Sequence, residues 1–327
     1  MSVRAAIVLI VLLPGSASAQ VQGFPVEPTP LANPPARLLP PVVYDPPIQR
    51  TPVSCPIPAA PCGRDPFRNV TAGGLAITCF PQSLLWEPPL ASRREPRFTF
   101  VPTTLSNDFT NNTLDANIGA TVGLVRFERE DSPLRVQLDA FGVVINRVSQ
   151  YDFLVDSDYR AGLPLTFALG PWHGKLAFEH TSSHLGDETI ERTGRQRNDY
   201  TKDEIVAGLG RWLFADHLRV YGDVGWAVFE HIPDNPSPFR FDLGGEWRPR
   251  VSTGFWGEPF AAANLEFNGA NGYHPSLDVQ LGWLWRAPDR RLGQFRVYAE
   301  YFTGRSDFGQ FFTMNEQFLG FGVAIEN

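Results

Sequence analysis

From Arg97 to the C-terminus the sequence alternates, and this alternation restricts the fold more than any other feature. Within Phe239 to Arg248, Phe239, Phe241, Leu243, Gly245 and Trp247 fall on one side of a period of two, and Arg240, Asp242, Gly244, Glu246 and Arg248 on the other. Leu218, Val220, Val224 and Trp226 stand in the same way against Arg219, Tyr221 and Asp223. The pattern returns in Leu277, Val279, Leu281, Trp283 and Trp285 against Asp278, Gln280 and Arg286, and in Phe295, Val297, Ala299 and Tyr301 against Arg296 and Glu300. Successive side chains of a strand point to opposite faces, so each segment reads as a strand with one apolar and one charged face. An amphipathic helix needs apolar spacings of three and four, which these segments lack.

Segments of this kind begin near Arg97, Asn117, Leu134, Leu163, Trp172, Asp203, Leu218, Phe239, Phe260, Leu277, Phe295 and Phe318. They number about twelve, and an even number suits a bacterial single-chain membrane barrel. Connections alternate between short ones (Glu130 to Pro133, Gly170-Pro171, Ala215-Asp216, Pro288 to Leu292) and longer polar ones (Ser106 to Asp115, Ser183 to Lys202, Ser306 to Glu316). Short turns at one end and long loops at the other are the signature of an outer-membrane barrel. The expected fold is therefore an all-β, transmembrane, antiparallel up-and-down barrel with a Pro-rich N-terminal extension. Val251 to Glu258 is long for a turn, and Gln150 to Gly162 fits poorly as a loop. Trp172, Trp212, Trp247, Trp285 and Tyr301 near strand ends are expected to form aromatic girdles. They favour the barrel over its competitor, a secreted β-sandwich with a polar outer face.

Ahead of the alternating region, Arg4, the apolar run Ala5 to Leu13 and Ala17-Ser18-Ala19 before Gln20 read as a secretory signal over 1–19. Residues 20–64 are rich in proline, with pairs at Pro34-Pro35, Pro40-Pro41 and Pro46-Pro47, a composition that favours an extended periplasmic linker. Residues 65–96 read as a cap or plug segment, and 97–327 as the barrel. Cys55, Cys62 and Cys79 all precede the barrel and allow one disulfide in an oxidising compartment. The net charge of -7 argues against a nucleic-acid partner. Expected partners are outer-membrane lipids and the barrel-assembly machinery. The last segment puts Leu319, Phe321, Val323 and Ile325 on one face, like the C-terminal strand of outer-membrane proteins, but the chain ends in Glu326-Asn327 rather than an aromatic residue.

The charged face would line the lumen with Arg135, Asp139, Lys175, Glu179, Arg219, Asp223, Arg240, Asp242, Glu246, Arg248, Glu266, Asp278, Arg296 and Glu300. Both signs are present, so these residues can pair across a narrow interior; a narrow selective pore is the functional alternative.

One segment breaks the apolar face. In K-L-A-F-E-H-T-S-S-H-L-G-D-E, Lys175 to Glu188, His180 and Ser182 share the face of Leu176 and Phe178. Together with the Y-R-A-G-L-P-L run from Tyr159 and L-R-V-Y-G-D-V-G from Leu218, this motif resembles an uncharacterised family of bacterial outer-membrane barrels. The resemblance implies a barrel over roughly the C-terminal seven tenths of the chain and no activity. A shorter similarity is to outer-membrane phospholipase A and the outer-membrane lipid A deacylases, which carry a His-x-Ser pair on the lipid-facing side of a strand. His180-Thr181-Ser182 matches that pair, and a spacing of two puts base and nucleophile on one face. Ser183 stands where those enzymes usually have Asn, so their oxyanion site does not carry over. Asp199, Asp203 and Glu191 are candidates for the third member. His184, Asp187 and Glu188 are candidate metal ligands at a spacing that matches no standard site, so no metal or other cofactor is expected, calcium entering only if the protein is a hydrolase. The first functional reading is a non-catalytic envelope protein of the outer membrane, with the N-terminal extension in the periplasm. A serine-dependent lipid acyl hydrolase of the outer leaflet is the alternative and a narrow channel the second; the oligomeric state is left open.

Overall fold

Alternating apolar and charged residues give this chain long antiparallel strands, because a β-strand is the element that separates odd from even positions. The computed structural model describes residues 68–70, 74–106, 112–151, 153–233, 237–249, 253–286 and 293–326. The expected signal, the proline-rich segment and Cys55 and Cys62 lie outside these residues. The strands are β1 (Arg68–Val70), β2 (Leu75–Cys79), β3 (Phe98–Ser106), β4 (Asn112–Arg129), β5 (Leu134–Ser149), β6 (Leu154–Leu169), β7 (Trp172–Leu185), β8 (Tyr200–Leu213), β9 (Leu218–His231), β10 (Phe239–Trp247), β11 (Glu258–Asn268), β12 (Pro275–Arg286), β13 (Gln294–Arg305) and β14 (Asn315–Glu326). A short helix, α1 (Asp187–Thr193), lies between β7 and β8.

Strands β3 to β14 pair each with the next, and β14 returns to β3, so twelve antiparallel strands close into a barrel. Closure leaves no open strand edge, which is the condition for strands to cross hydrocarbon. β2 adds to the edge of β4 at Leu75↔Arg129 through Cys79↔Val125, and β3 takes over that edge from Asn117.

Phe100, Leu163, Phe178, Leu209, Leu243, Leu281 and Phe321 all point outward and are exposed. A soluble sandwich would bury this face, so the exposed apolar wall decides for the barrel. Inside, most of the expected charges are buried and many pair, joined by Arg160, Lys202, Glu204 and Glu326, which the sequence pattern did not single out: Arg160 bonds Glu179 at 2.6 Å, Lys202 bonds Glu204 at 2.8 Å, Arg219 reaches Glu246 at 3.2 Å and Arg296 bonds Glu326 at 2.8 Å. Arg135 shares the inward parity but sits at the turn end of β5, where it is exposed.

The chain between β2 and β3 runs inside this ring of charges. Leu90 is fully buried; its carbonyl accepts from Arg97 Nη1 at 2.6 Å and Arg296 Nη2 at 3.0 Å, and its N–H donates to Glu246 at 3.2 Å. Trp86 lies under the Arg219 guanidinium, 4.7 Å from ring centre to charge centre, with Lys175 beside it. Gly208 of β8 leaves room for this indole, since a Cβ there would come within 3.1 Å of it. Two recesses beside the segment measure about 20 and 10 Å³, room for a water molecule each.

Two expectations need correction, and one irregularity finds its cause. β6 starts at Leu154, so Gln150 to Gly162 is mostly strand; its Asp156, Ser157 and Asp158 look like loop residues but are buried in the barrel wall. Trp212 belongs to no girdle: its parity in β8 is that of Lys202 and Glu204, and it is buried inside against His173 and Arg248. In the connection to β11, the described residues Phe255 and Trp256 lie against the outer wall, where Trp283 Nε1 donates to the Trp256 carbonyl (2.6 Å) and Trp285 Nε1 to that of Phe255 (3.0 Å). That is why a turn at this end is long.

Candidate functional site

The polar residues on the lipid-facing side of β7 lie toward its loop end. Phe178, His180, Ser182 and His184 point outward, while Glu179, Thr181, Ser183 and Leu185 point inward and are buried. The inward set fixes the strand. Glu179 is held by Arg160 and Lys175, and the Ser183 carbonyl accepts from Gln310 Nε2 at 2.9 Å. Gln310 also accepts from the Asn198 N–H (2.8 Å) and donates to the Asn198 carbonyl (2.9 Å), so the 306–314 loop ties the ends of β7 and β8 together from inside.

On the outer wall, β8 pairs with β7 so that Asp203 lies opposite His180 and Thr201 opposite Ser182. Asp203 Oδ1 meets His180 Nδ1 at 2.6 Å, with 46% of the His180 and 29% of the Asp203 side chain exposed. A carboxylate on Nδ1 fixes the ring orientation and leaves Nε2 on the other side. The pairing of β8 with β9 shifts register between Asp203 and Glu204, and such bulges re-aim side chains. Across the other edge of β7, β6 places Ala161 opposite His180 and Tyr159 opposite Ser182. The Tyr159 ring meets that of His184 edge to face, 5.6 Å between centres at 74°. The Tyr159 run and the His180 motif are thus neighbouring strands of one wall.

Of the candidate third members, Asp203 alone meets His180. Asp199 is 3.7 Å from His231 Nε2 and well exposed, and Glu191 lies on α1. Among the described residues no hydrogen bond joins Ser182 to the His180 ring. The candidate metal ligands are dispersed: His184 packs on Tyr159, Asp187 pairs with Arg197 at 3.2 Å, and Glu188 accepts from the Leu154 N–H at 3.3 Å. Among the described residues no three His, Cys, Asp or Glu side chains gather as a metal site would require. Sequence reasoning missed Gln310 and the inner contacts of Ser183. Their only trace is a polar Gln among the phenylalanines of Phe308 to Phe312.

The closed wall, the apolar exterior and the charged interior define an outer-membrane-type β-barrel, a fold that supports a location in the bacterial outer membrane. Among solved structures, outer membrane phospholipase A from Escherichia coli superposes with a TM-score of 0.51 at 13% identity, over 71% of this chain and 96% of that one. The calcium-bound outer membrane phospholipase dimer of Salmonella typhi gives 0.50 at 14% identity, over 74% and 94%. The KdgM porin gives 0.40 at 9% identity, over 69% and 98%. At these identities the likeness is one of fold. No curated protein matches the sequence. The chain belongs to the family described as "Protein of unknown function (DUF1207)", whose model matches residues 62–326.

Proposed function

We propose that this protein is a serine-dependent lipid acyl hydrolase acting on the outer wall of its barrel. The observation that carries the reading is the 2.6 Å bond from Asp203 to His180 Nδ1 on the face that also bears Ser182. Ser182 Oγ attacks the ester carbonyl carbon while His180 Nε2 takes its proton. The acyl C–O bond then breaks, and the leaving alcohol takes that proton back from His180. Water, activated by the same imidazole, frees the fatty acid from Ser182. Asp203 holds the ring and stabilises its charged form throughout.

Position supports the reading. His180 and Ser182 lie toward the loop end of β7, above an apolar wall of Leu163, Leu165, Leu176 and Phe178 that a membrane-embedded acyl chain can follow. With the turns, the start of β3 and the end of β14 on the periplasmic side, that end faces the outer leaflet. The phospholipase likeness agrees in fold. Among the described residues no cluster of three His, Cys, Asp or Glu side chains offers calcium a ligand set, and Asp203 is engaged by His180, so no step is routed through it.

The test is release of fatty acid from phospholipid and from lipid A by the refolded full-length protein in detergent, with and without calcium, beside Ser182→Ala. Product from the wild type and none from a folded, heat-modifiable Ser182→Ala is the expected result. No product from either, on both lipids, sinks the reading and returns the barrel to a non-catalytic role.

A further inference from the structure

A tetrahedral intermediate on Ser182 needs a hydrogen-bond donor for its oxyanion, and the main chain cannot give one here. Oxyanion sites commonly use backbone N–H groups at a turn or helix start. Ser182 and Ser183 instead sit in a strand paired on both sides: Ser182 opposite Tyr159 and Thr201, Ser183 opposite Asp158 and Tyr200. Their N–H groups lie in the sheet plane and serve the ladders. The donor must therefore be a side chain on the outward face.

That face offers few. His180, two residues before Ser182, is the base. On the far side of Ser182 from His180 stands His184, and the ring of Tyr159, across from Ser182 on β6, leans on it at 5.6 Å. Tyr159 is 45% exposed and its hydroxyl is in no hydrogen bond among the described residues. His180 and His184 thus stand on either side of Ser182 along β7, with Tyr159 across from it on β6, an order that lets the proton leave toward His180 while negative charge grows away from it.

We propose that the Tyr159 hydroxyl is the oxyanion donor of this site, with His184 positioning its ring. The proposal rests on the hydrolase reading and deepens it. As Ser182 Oγ bonds to the acyl carbon and its proton passes to His180 Nε2, the carbonyl π pair moves onto oxygen, which accepts from the Tyr159 O–H. When the carbonyl reforms, the ester C–O bond breaks and His180 protonates the leaving oxygen; Tyr159 keeps its proton throughout. The two motifs from Tyr159 and from His180 are then two halves of one site.

The experiment uses the full chain in detergent micelles, with a long-chain p-nitrophenyl ester for turnover and a fluorescent alkyl fluorophosphonate for covalent labelling of Ser182. Tyr159→Phe keeps the ring and its contact with His184 but removes the donor. It is expected to lower kcat by about 10- to 100-fold at unchanged KM, below the ~100- to 1,000-fold typical of a buried donor because this one is partly solvated. His184→Ala should lower kcat as well, and His184→Phe, which restores a ring edge without a donor, should recover most of it. Thr201→Val, on the opposite strand, should leave kcat unchanged. Wild-type turnover with Tyr159→Phe at the wild-type rate, with the loss falling on Thr201→Val, or with equal loss in His184→Ala and His184→Phe, overturns the assignment and leaves the hydrolase standing. No labelling of Ser182 in the wild type removes both.

Discussion

Arg147 gives the most direct test of how the interior is held. Its side chain is almost wholly buried; Nε and Nη2 each bond an oxygen of Asp115 at 2.8 Å, Nη1 bonds Glu316 at 2.7 Å, and the guanidinium lies 4.3 Å above the Phe308 ring. Arg147→Met keeps the volume and removes the charge. Asp115 then still has Arg93, but Glu316 loses its only described partner while staying buried. Stranding one member of a buried pair costs roughly 3–5 kcal/mol, mainly from the charge left behind. At 1.4 kcal/mol per factor of ten, the lower bound is a little over a hundredfold in the folding equilibrium. If that is the cause, Glu316→Gln should restore much of the loss in the Arg147→Met background, because no net charge then remains unpaired at that position. The assay is urea unfolding in lipid vesicles, followed by tryptophan fluorescence and by the gel shift of the folded barrel. A single-variant loss under about 1 kcal/mol, the value of a solvated pair, would refute the reasoning. So would a double variant no better than the single, since the loss would then lie in packing against Phe308.

Three further outcomes are expected. On the proposed hydrolase mechanism, Asp203→Ala should lower kcat by roughly 10- to 1,000-fold with little change in KM, less than a buried triad carboxylate because the pair is partly exposed; wild-type kcat would remove Asp203 from the mechanism. Burial raises the Asp307 carboxyl to about 7 even though Arg93 lies 3.6 Å away, with Glu266 and Glu316 opposing Arg93 and Arg94. A folded-state value above the unfolded one favours the closed loop below about pH 4, and that contribution is lost as pH rises through 7. Hydrogen exchange at Phe308 to Phe312 should therefore quicken from pH 5 to pH 8 beyond the intrinsic rate, and Asp307→Asn should flatten the change. Gly257 has φ +66° and a Cβ there would come within 2.7 Å of the Leu284 carbonyl and the Trp283 indole, so Gly257→Ala should cost about 1–3 kcal/mol in the same urea assay.

The strand pattern was legible because each strand separates two solvents, lipid outside and paired charge inside, and period two records that separation directly. The start of β6 was hidden for the converse reason. In Asp156-Ser157-Asp158 both wall faces carry short polar side chains near the loop end, so no apolar side marks the strand. Trp212 misled because residue type was given more weight than parity. At the site, the faces of His180 and Ser182 followed from spacing alone. Choosing Asp203 over Asp199 did not, since it depends on which residue of β8 lies opposite His180, a register set by the whole length of the loop from 186 to 199. The helix within that loop carries no alternation to count.

What the barrel needs for stability and what it carries at His180 differ in kind. Among the described residues most buried charges inside meet an opposite charge, as Arg147, Arg219, Arg240 and Arg296 do, so these are explained by the need to fill and neutralise a narrow interior. The outer wall has no such need. Leu163, Leu176, Phe178 and Ile205 show what it otherwise uses beside this site, and apolar residues at His180, Ser182 and Asp203 would suit hydrocarbon better than groups that lose water when lipid covers them. An aspartate bonded to the histidine nitrogen remote from the base position, with a serine on the same face, is costly as decoration and useful as a proton path. Asp203 is the residue on which the two needs part: if Asp203→Leu proves more stable than the wild type and loses turnover, the wall has kept a polar site at the expense of its own stability.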